Sequence, residues 1–180
     1  VNSLEFWVEA YLSDAVAEIA SAKVTLDLLP YYIEVVYPSL NIPGNYQGWD
    51  PGNMETVIHS LKSDEVYDGF VYFGEAATMF KFAKLNWDNN WGDDGADGTL
   101  DAGGADIAAE GPAMYRLHAD LNENTYTATR TDWGLIGSAT PDGWDADQDL
   151  SWDADAGVLT ITLDLIAGAI KFRANDDWAM

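Results

Sequence analysis

An internal repeat constrains this chain more than any other feature. The segment LNIPGNYQGWD (40–50) is matched by GLIGSATPDGWD (134–145), and MFKFAKLNW (79–87) is matched by AIKFRANDDW (169–178). Each copy passes from a Gly-Trp-Asp turn to a strand with an apolar–Lys–Phe centre. A Trp follows five or six residues later, Trp87 after Phe82 and Trp178 after Phe172. Trp144 lies 95 residues beyond Trp49, and Lys171 lies 90 beyond Lys81. Two ordered landmarks at nearly one spacing mark a duplicated structural unit. The fold must supply the same strand-and-turn setting twice.

The residues between the landmarks read as strands. Runs at 6–12, 24–29, 57–61, 70–73, 79–85, 114–121, 125–131 and 158–165 are short, and many alternate with period two. Gly, Asp, Asn and Pro clusters separate them. The one helix-like stretch, 15–22, is short and lacks matching caps. The expected class is all-β, with tandem β-sandwich domains of the Ig-like or carbohydrate-binding-module type. Residues 1–36 are expected to be the C-terminal part of an Ig-like domain with an exit linker at 30–32. A first module spans 37–131, and a second, truncated module spans 132–180. One compact domain carrying a duplicated motif is the competing organisation.

Charge and composition narrow the function. The formal net charge is −23, from 31 acidic and 8 basic residues. Nucleic-acid binding needs basic groups to neutralise phosphates, so that partner is excluded as an expectation. Anionic lipid surfaces are disfavoured for the same reason. A neutral glycan meets no such penalty. The chain has no Cys, which removes disulfides, thiol nucleophiles and thiolate metal ligands. No apolar run is long enough to span a bilayer. The chain opens at Val1 without an initiator Met, as expected if an upstream targeting segment is removed.

Eight Trp in 180 residues is more aromatic surface than one core of this size needs. Strand alternation turns Phe80 and Phe82 inward with Lys84 at the rim, and turns Met79, Lys81 and Leu85 outward. In the second copy Ile170 and Phe172 are expected inward, and Lys171 and Arg173 outward. Half of the eight cations therefore lie in two equivalent strands. A sugar ring offers an apolar C–H face and a rim of hydroxyls. Indole matches the face, and Lys, Arg and Asn match the rim. The candidate glycan contacts are Lys81, Asn86, Trp87 and Trp91 in the first copy, and Lys171, Arg173, Asn175 and Trp178 in the second. Trp49, Trp144 and Trp133 are expected in the core, and Trp7 and Trp152 in ordinary strand or turn packing.

The acidic segment 88–106, and Asp145, Asp147 and Asp149, are oxygen-rich loops of the sort that can hold calcium. Neither matches the EF-hand pattern, because Leu150 stands where Gly is needed and no Glu closes the loop. A solvated loop without cofactor is the expectation. His59 and His118 have no catalytic motif around them, and no pair of carboxylates is marked as a glycosidase pair. The chain is not expected to be an enzyme.

These landmarks resemble the SusE/SusF family of outer-membrane starch-binding lipoproteins from Bacteroidetes-type starch utilisation systems. The resemblance runs through IPGNYQGWDP, FKFAKLNWDNNWGDDG, GTLDAGGADIA, WGLIGSATPDGWDADQDLSWD and IKFRANDDW, nearly all of 37–180. It implies a non-catalytic, surface-exposed protein of the outer membrane. Such a protein is held by an N-terminal lipid anchor outside this chain and captures glucan for an outer-membrane importer. It also implies glycan contacts at Lys81, Asn86 and Trp87, and at Lys171, Arg173, Asn175 and Trp178. One departure is that Ala83 stands in the place of Arg173, with Lys84 beside it. The rival readings are the starch-binding module of a secreted α-glucan hydrolase and a structural Ig-like surface protein.

Overall fold

The computed structural model describes residues 2–11, 15, 17–28 and 35–179. The described chain is all-β, with one 3-10 turn at Asn45–Gln47 and no α-helix among the described residues. It divides into two compact units, Val1–Val36 and Tyr37–Met180. In the first unit Asn2–Phe6 pairs antiparallel with Val24–Leu28, and Glu9–Ala10 pairs with Ile19–Ala20. Phe6, Val24 and Leu26, on these two-stranded ribbons, are exposed. Trp7 is exposed as well, contrary to the packing expected of it, with Lys23 over its ring. The linker expected at 30–32 lies outside the described residues, as do the ends at Leu12 and Leu29 of two expected strands.

The second unit is built on an eight-stranded sheet. In spatial order the strands are Asp101–Ala102, Asn86–Gly92, Phe82–Lys84, Ser39–Asn41, Val57–His59, Val66–Phe73, Ala113–Asp120 and Thr125–Thr131. The sheet curls until its two ends meet. Leu100 N–H donates to Asn124 O at 2.8 Å, and Tyr126 N–H donates to Gly98 O at 3.0 Å. Period-two alternation decides what lies inside the curl. Tyr67, Val71 and Phe73 from one strand, and Ala113, Tyr115, Leu117 and Ala119 from its neighbour, face a core shared with Leu40, Ile42, Ile58, Phe80 and Phe82.

Two departures from the expected strands matter. The run 79–85 is not one strand. It breaks at Lys81, whose N–H donates to Pro43 O at 2.9 Å. Ala77–Phe80 then pairs with Ile107–Glu110, while Phe82–Lys84 belongs to the main sheet. A strand that changes partners at a corner keeps both Phe side chains buried. The segment from residue 88, expected as loop, instead contributes to the strand Asn86–Gly92.

The second copy forms two smaller, open sheets, of three strands and of two. Trp133–Ile136 pairs with Lys171–Ala174 and Gln148–Asp149, and Ser151–Asp153 pairs with Val158–Thr160. It packs on the outer face of the main sheet. Trp152 stacks on Tyr72 with centroids 4.5 Å apart and planes at 14°, and Trp133 meets Phe70 edge-on at 5.8 Å. Trp133 is thus half-buried on that face rather than in the core. The expectation that Ile170 and Phe172 point inward is overturned: both are exposed, Phe172 by 60%. Phe82, at the matching position, lies 5.7 Å from both Phe80 and Tyr126 across the core. No described strand faces Phe172 in that way.

Candidate functional site

The two landmarks of the first copy meet in space. Trp49 lies in the turn after the 3-10 segment, with φ at +61°. That left-handed backbone is costly for a bulky side chain, and it persists only where neighbours over-determine it. Trp49 N–H donates to Gly44 O at 2.8 Å. The Gln47 amide closes the turn from both directions: Asp50 N–H donates to Gln47 Oε1 at 2.6 Å, and Gln47 Nε2 donates to Asp50 O at 2.7 Å.

Trp87 comes from a bulge. Between Asn86 and Asn90 this strand advances four residues while its partner moves one, from Lys84 to Ala83. The extra residues swing out of the ladder, which is how a bulge re-aims a side chain. Leu85, at the start of the bulge, also has a left-handed backbone, with φ at +59°. Asn90 Nδ2 donates to Trp87 O at 2.8 Å and closes the bulge. The Trp49 and Trp87 rings have centroids 6.3 Å apart and planes at 43°. Trp87 is 42% exposed, and Trp49 is half-buried. Trp49 was expected in the core. The turn holds it at the rim against Trp87 instead.

The remaining first-copy candidates divide. Asn86 is exposed; its Oδ1 accepts from Asp88 N–H at 2.9 Å, and no hydrogen bond within the described residues uses its amide nitrogen. Lys81 sits half-exposed at the strand corner, with no ion pair among the described residues. Trp91 is turned the other way. It pairs across the ladder with buried Phe82 and packs against the core, with Lys84 Nζ 6.0 Å from its ring.

In the second copy Trp178 is exposed, and Lys171 Nζ and the Arg173 guanidinium each lie 5.3 Å from its ring centroid. Arg173 is mostly hidden and makes two hydrogen bonds to Asp147, at 2.9 and 3.0 Å. That guanidinium pulls the Asp147 carboxyl down to about 2, outweighing the desolvation that raises it. Contact with ionised Asp147 pushes the Asp176 carboxyl up. The Asn175 amide holds a turn: Nδ2 donates to Arg130 O at 3.0 Å, and Oδ1 accepts from Asp132 N–H at 2.8 Å. Trp144 is exposed rather than core, and among the described residues no ring contact joins it to Trp178.

The acidic segment is organised around its own backbone. Asp93 is nearly buried. Its carboxylate accepts from the N–H groups of Gly95, Asp97 and Gly98 and from the Tyr126 hydroxyl. Desolvation raises its pKa, and those bonds together bring it below the usual carboxylate range. Asp94 and Asp101 bond the N–H groups of Ala105 and Asp94. Among the described residues no three acidic or His side chains converge as a metal site.

Sequence reasoning missed Gln47, which closes the Trp49 turn, and Asn41, which bonds the loop that follows it. A lone Asn in the apolar run Leu-Asn-Ile was the available signal. No family model, curated protein or solved structure matches this chain.

Proposed function

We propose that the unit Tyr37–Met180 binds a neutral polysaccharide, an α-glucan first, on the Trp49–Trp87 pair, and that it does so without catalysis. One observation carries this reading: two partly exposed indoles, tilted at 43° and 6.3 Å apart, each on a left-handed or bulged backbone. Tilted rings offer separate faces to successive sugar units, and the angle suits a chain that curves, as α-linked glucose does. The stacked Tyr72–Trp152 pair, by contrast, uses its ring faces on itself. The Asn86 amide nitrogen supplies a donor for sugar hydroxyls. The 31 acidic residues of the chain pose no obstacle to an uncharged ligand.

The non-catalytic half of the proposal assigns no carboxylate pair a chemical role. A glycosidase sets two carboxyl groups across a cleft, about 5 to 10 Å apart. Asp147 and Asp176, whose carboxyls shift in opposite directions, both face the Arg173 guanidinium, at 2.9 and 3.8 Å. In the cell the protein would act at the outer-membrane surface, holding glucan for an importer, as the resemblance to the SusE/SusF family implies. The test is calorimetric titration of the chain with maltoheptaose, cellohexaose and laminarihexaose, with a reducing-sugar assay on the same mixtures. Saturable binding of maltoheptaose without sugar release is expected. Binding of none of the three, or steady release, would reject the proposal.

A further inference from the structure

We infer that buried Asn41 is the positioning residue that fixes the Trp49–Trp87 geometry; this rests on the glucan-binding reading of the pair. Asn41 lies in Ser39–Asn41, opposite Ala83, and is fully buried. Its side chain joins the two segments that carry the rings. Nδ2 donates to Asn53 O at 2.9 Å, in the loop that follows Trp49. Oδ1 accepts from Leu85 N–H at 3.2 Å, two residues before Trp87. Leu85 is the left-handed residue from which the bulge springs. One amide therefore spans both loops, and it does so from a fully buried position, where its own polar atoms have no water to turn to.

A buried amide in an apolar strand is costly unless both ends are satisfied. Here both ends are satisfied by loop backbone, so the amide dictates loop separation. The second copy lacks the device. Gly134 stands opposite Arg173 as Asn41 stands opposite Ala83. A Cβ on Gly134 would fall 2.6 Å from Asp147 Oδ2, so the Asp147–Arg173 pair fills the space instead. Trp144 and Trp178 are left without ring contact.

Two indoles at this distance and tilt couple as excitons, so the ring pair has a far-UV circular-dichroism couplet that needs no ligand. Trp49→Phe identifies it by removing it. Asn41→Ala should lose the couplet and bind maltoheptaose about tenfold more weakly, within the range for one lost stacking platform. Retention of both couplet and affinity in Asn41→Ala overturns the assignment. If that variant does not fold, amide exchange in the unmodified chain decides: a protected Leu85 N–H supports the role and an unprotected one overturns it. Loss of the couplet in Asn41→Ala, in a chain that binds no glucan at all, supports the positioning role and rejects the glucan reading.

Discussion

The strands around Phe82 and Phe172 share a motif and a ladder position, yet they hold their Trp residues by different physics. In the first copy the sheet curls over Phe82, and loops rising from its edge bring Trp49 and Trp87 together. In the second, the sheet stays open, Phe172 lies exposed, and Trp178 is held by Lys171 and Arg173. A hydrophobic layer underneath allows loop backbone to be tied by buried hydrogen bonds, because competing water is absent. Without that layer, orientation falls to charged groups, whose hold is weaker and screened by salt. The contrast separates what a motif encodes from what its surroundings supply.

The sharpest way to break this contrast is to remove the two Phe rings. Phe82→Ala should cost about 3–5 kcal/mol, as for other buried Phe truncations. Phe172→Ala should stay within about 0.5 kcal/mol, as exposed substitutions do. Urea unfolding of both variants measures the difference. Equal losses would mean that the face carrying Phe172 is covered in solution.

Binding gives the next largest effect. Trp87→Ala should cost about 1–3 kcal/mol, if sugar stacking is comparable to base stacking, or roughly fivefold to hundredfold in affinity for maltoheptaose. Trp178→Ala should cost less, and Trp144→Ala least, because among the described residues Trp144 has neither a partner ring nor a cation over it. Calorimetry on folded variants gives the ranking. A larger loss in Trp144→Ala than in Trp87→Ala would reverse the assignment of the main site.

Acid should act on the second copy through Asp147. Its folded pKa, about 2, lies below the ordinary Asp value of about 3.9. A depressed pKa means that the Asp147–Arg173 contribution is fully present above about pH 4 and is lost as pH falls through about 2. Trp fluorescence of Trp178, followed between pH 5 and 2, should report that loss. Asp147→Asn should show the low-pH signal already at neutral pH. An unchanged profile in that variant would show that Arg173 does not depend on this pair.

The smallest effect is expected at Lys84. Its ion pair with Glu65, at 2.8 Å, is well exposed, and the hydrogen bond from Lys84 lowers the Glu65 carboxyl. Lys84→Ala should cost only about 0.2–1 kcal/mol, and less at high salt. Thermal melts at two salt concentrations test this. A larger loss would make the Lys84 contact with Trp91 structural in the first copy, as the cation contacts are in the second.

Much was legible from residue order alone. Period-two alternation identified the all-β class and the strands near 114–121 and 125–131, and it turned Phe80 and Phe82 inward correctly even though the run bends between them. Exposure of Trp87 and Trp178 followed from their place after a basic strand. Alternation is a local property, fixed by the pleat, so it can be read without knowing what lies opposite.

What lies opposite is decided by tertiary structure. The repeat predicts that Phe172 behaves as Phe82 does, but burial needs a second layer, and the layers differ. Trp49 and Trp144 share a Gly-Trp-Asp turn, yet only Trp49 finds a partner ring, because only there does a bulge bring another Trp within reach. Asn41 went unremarked in the sequence. Its role depends on Asn53, 12 residues on, and Leu85, 44 residues on, meeting at one amide. Contacts at such separations form only when the sheet closes, so no local pattern contains them.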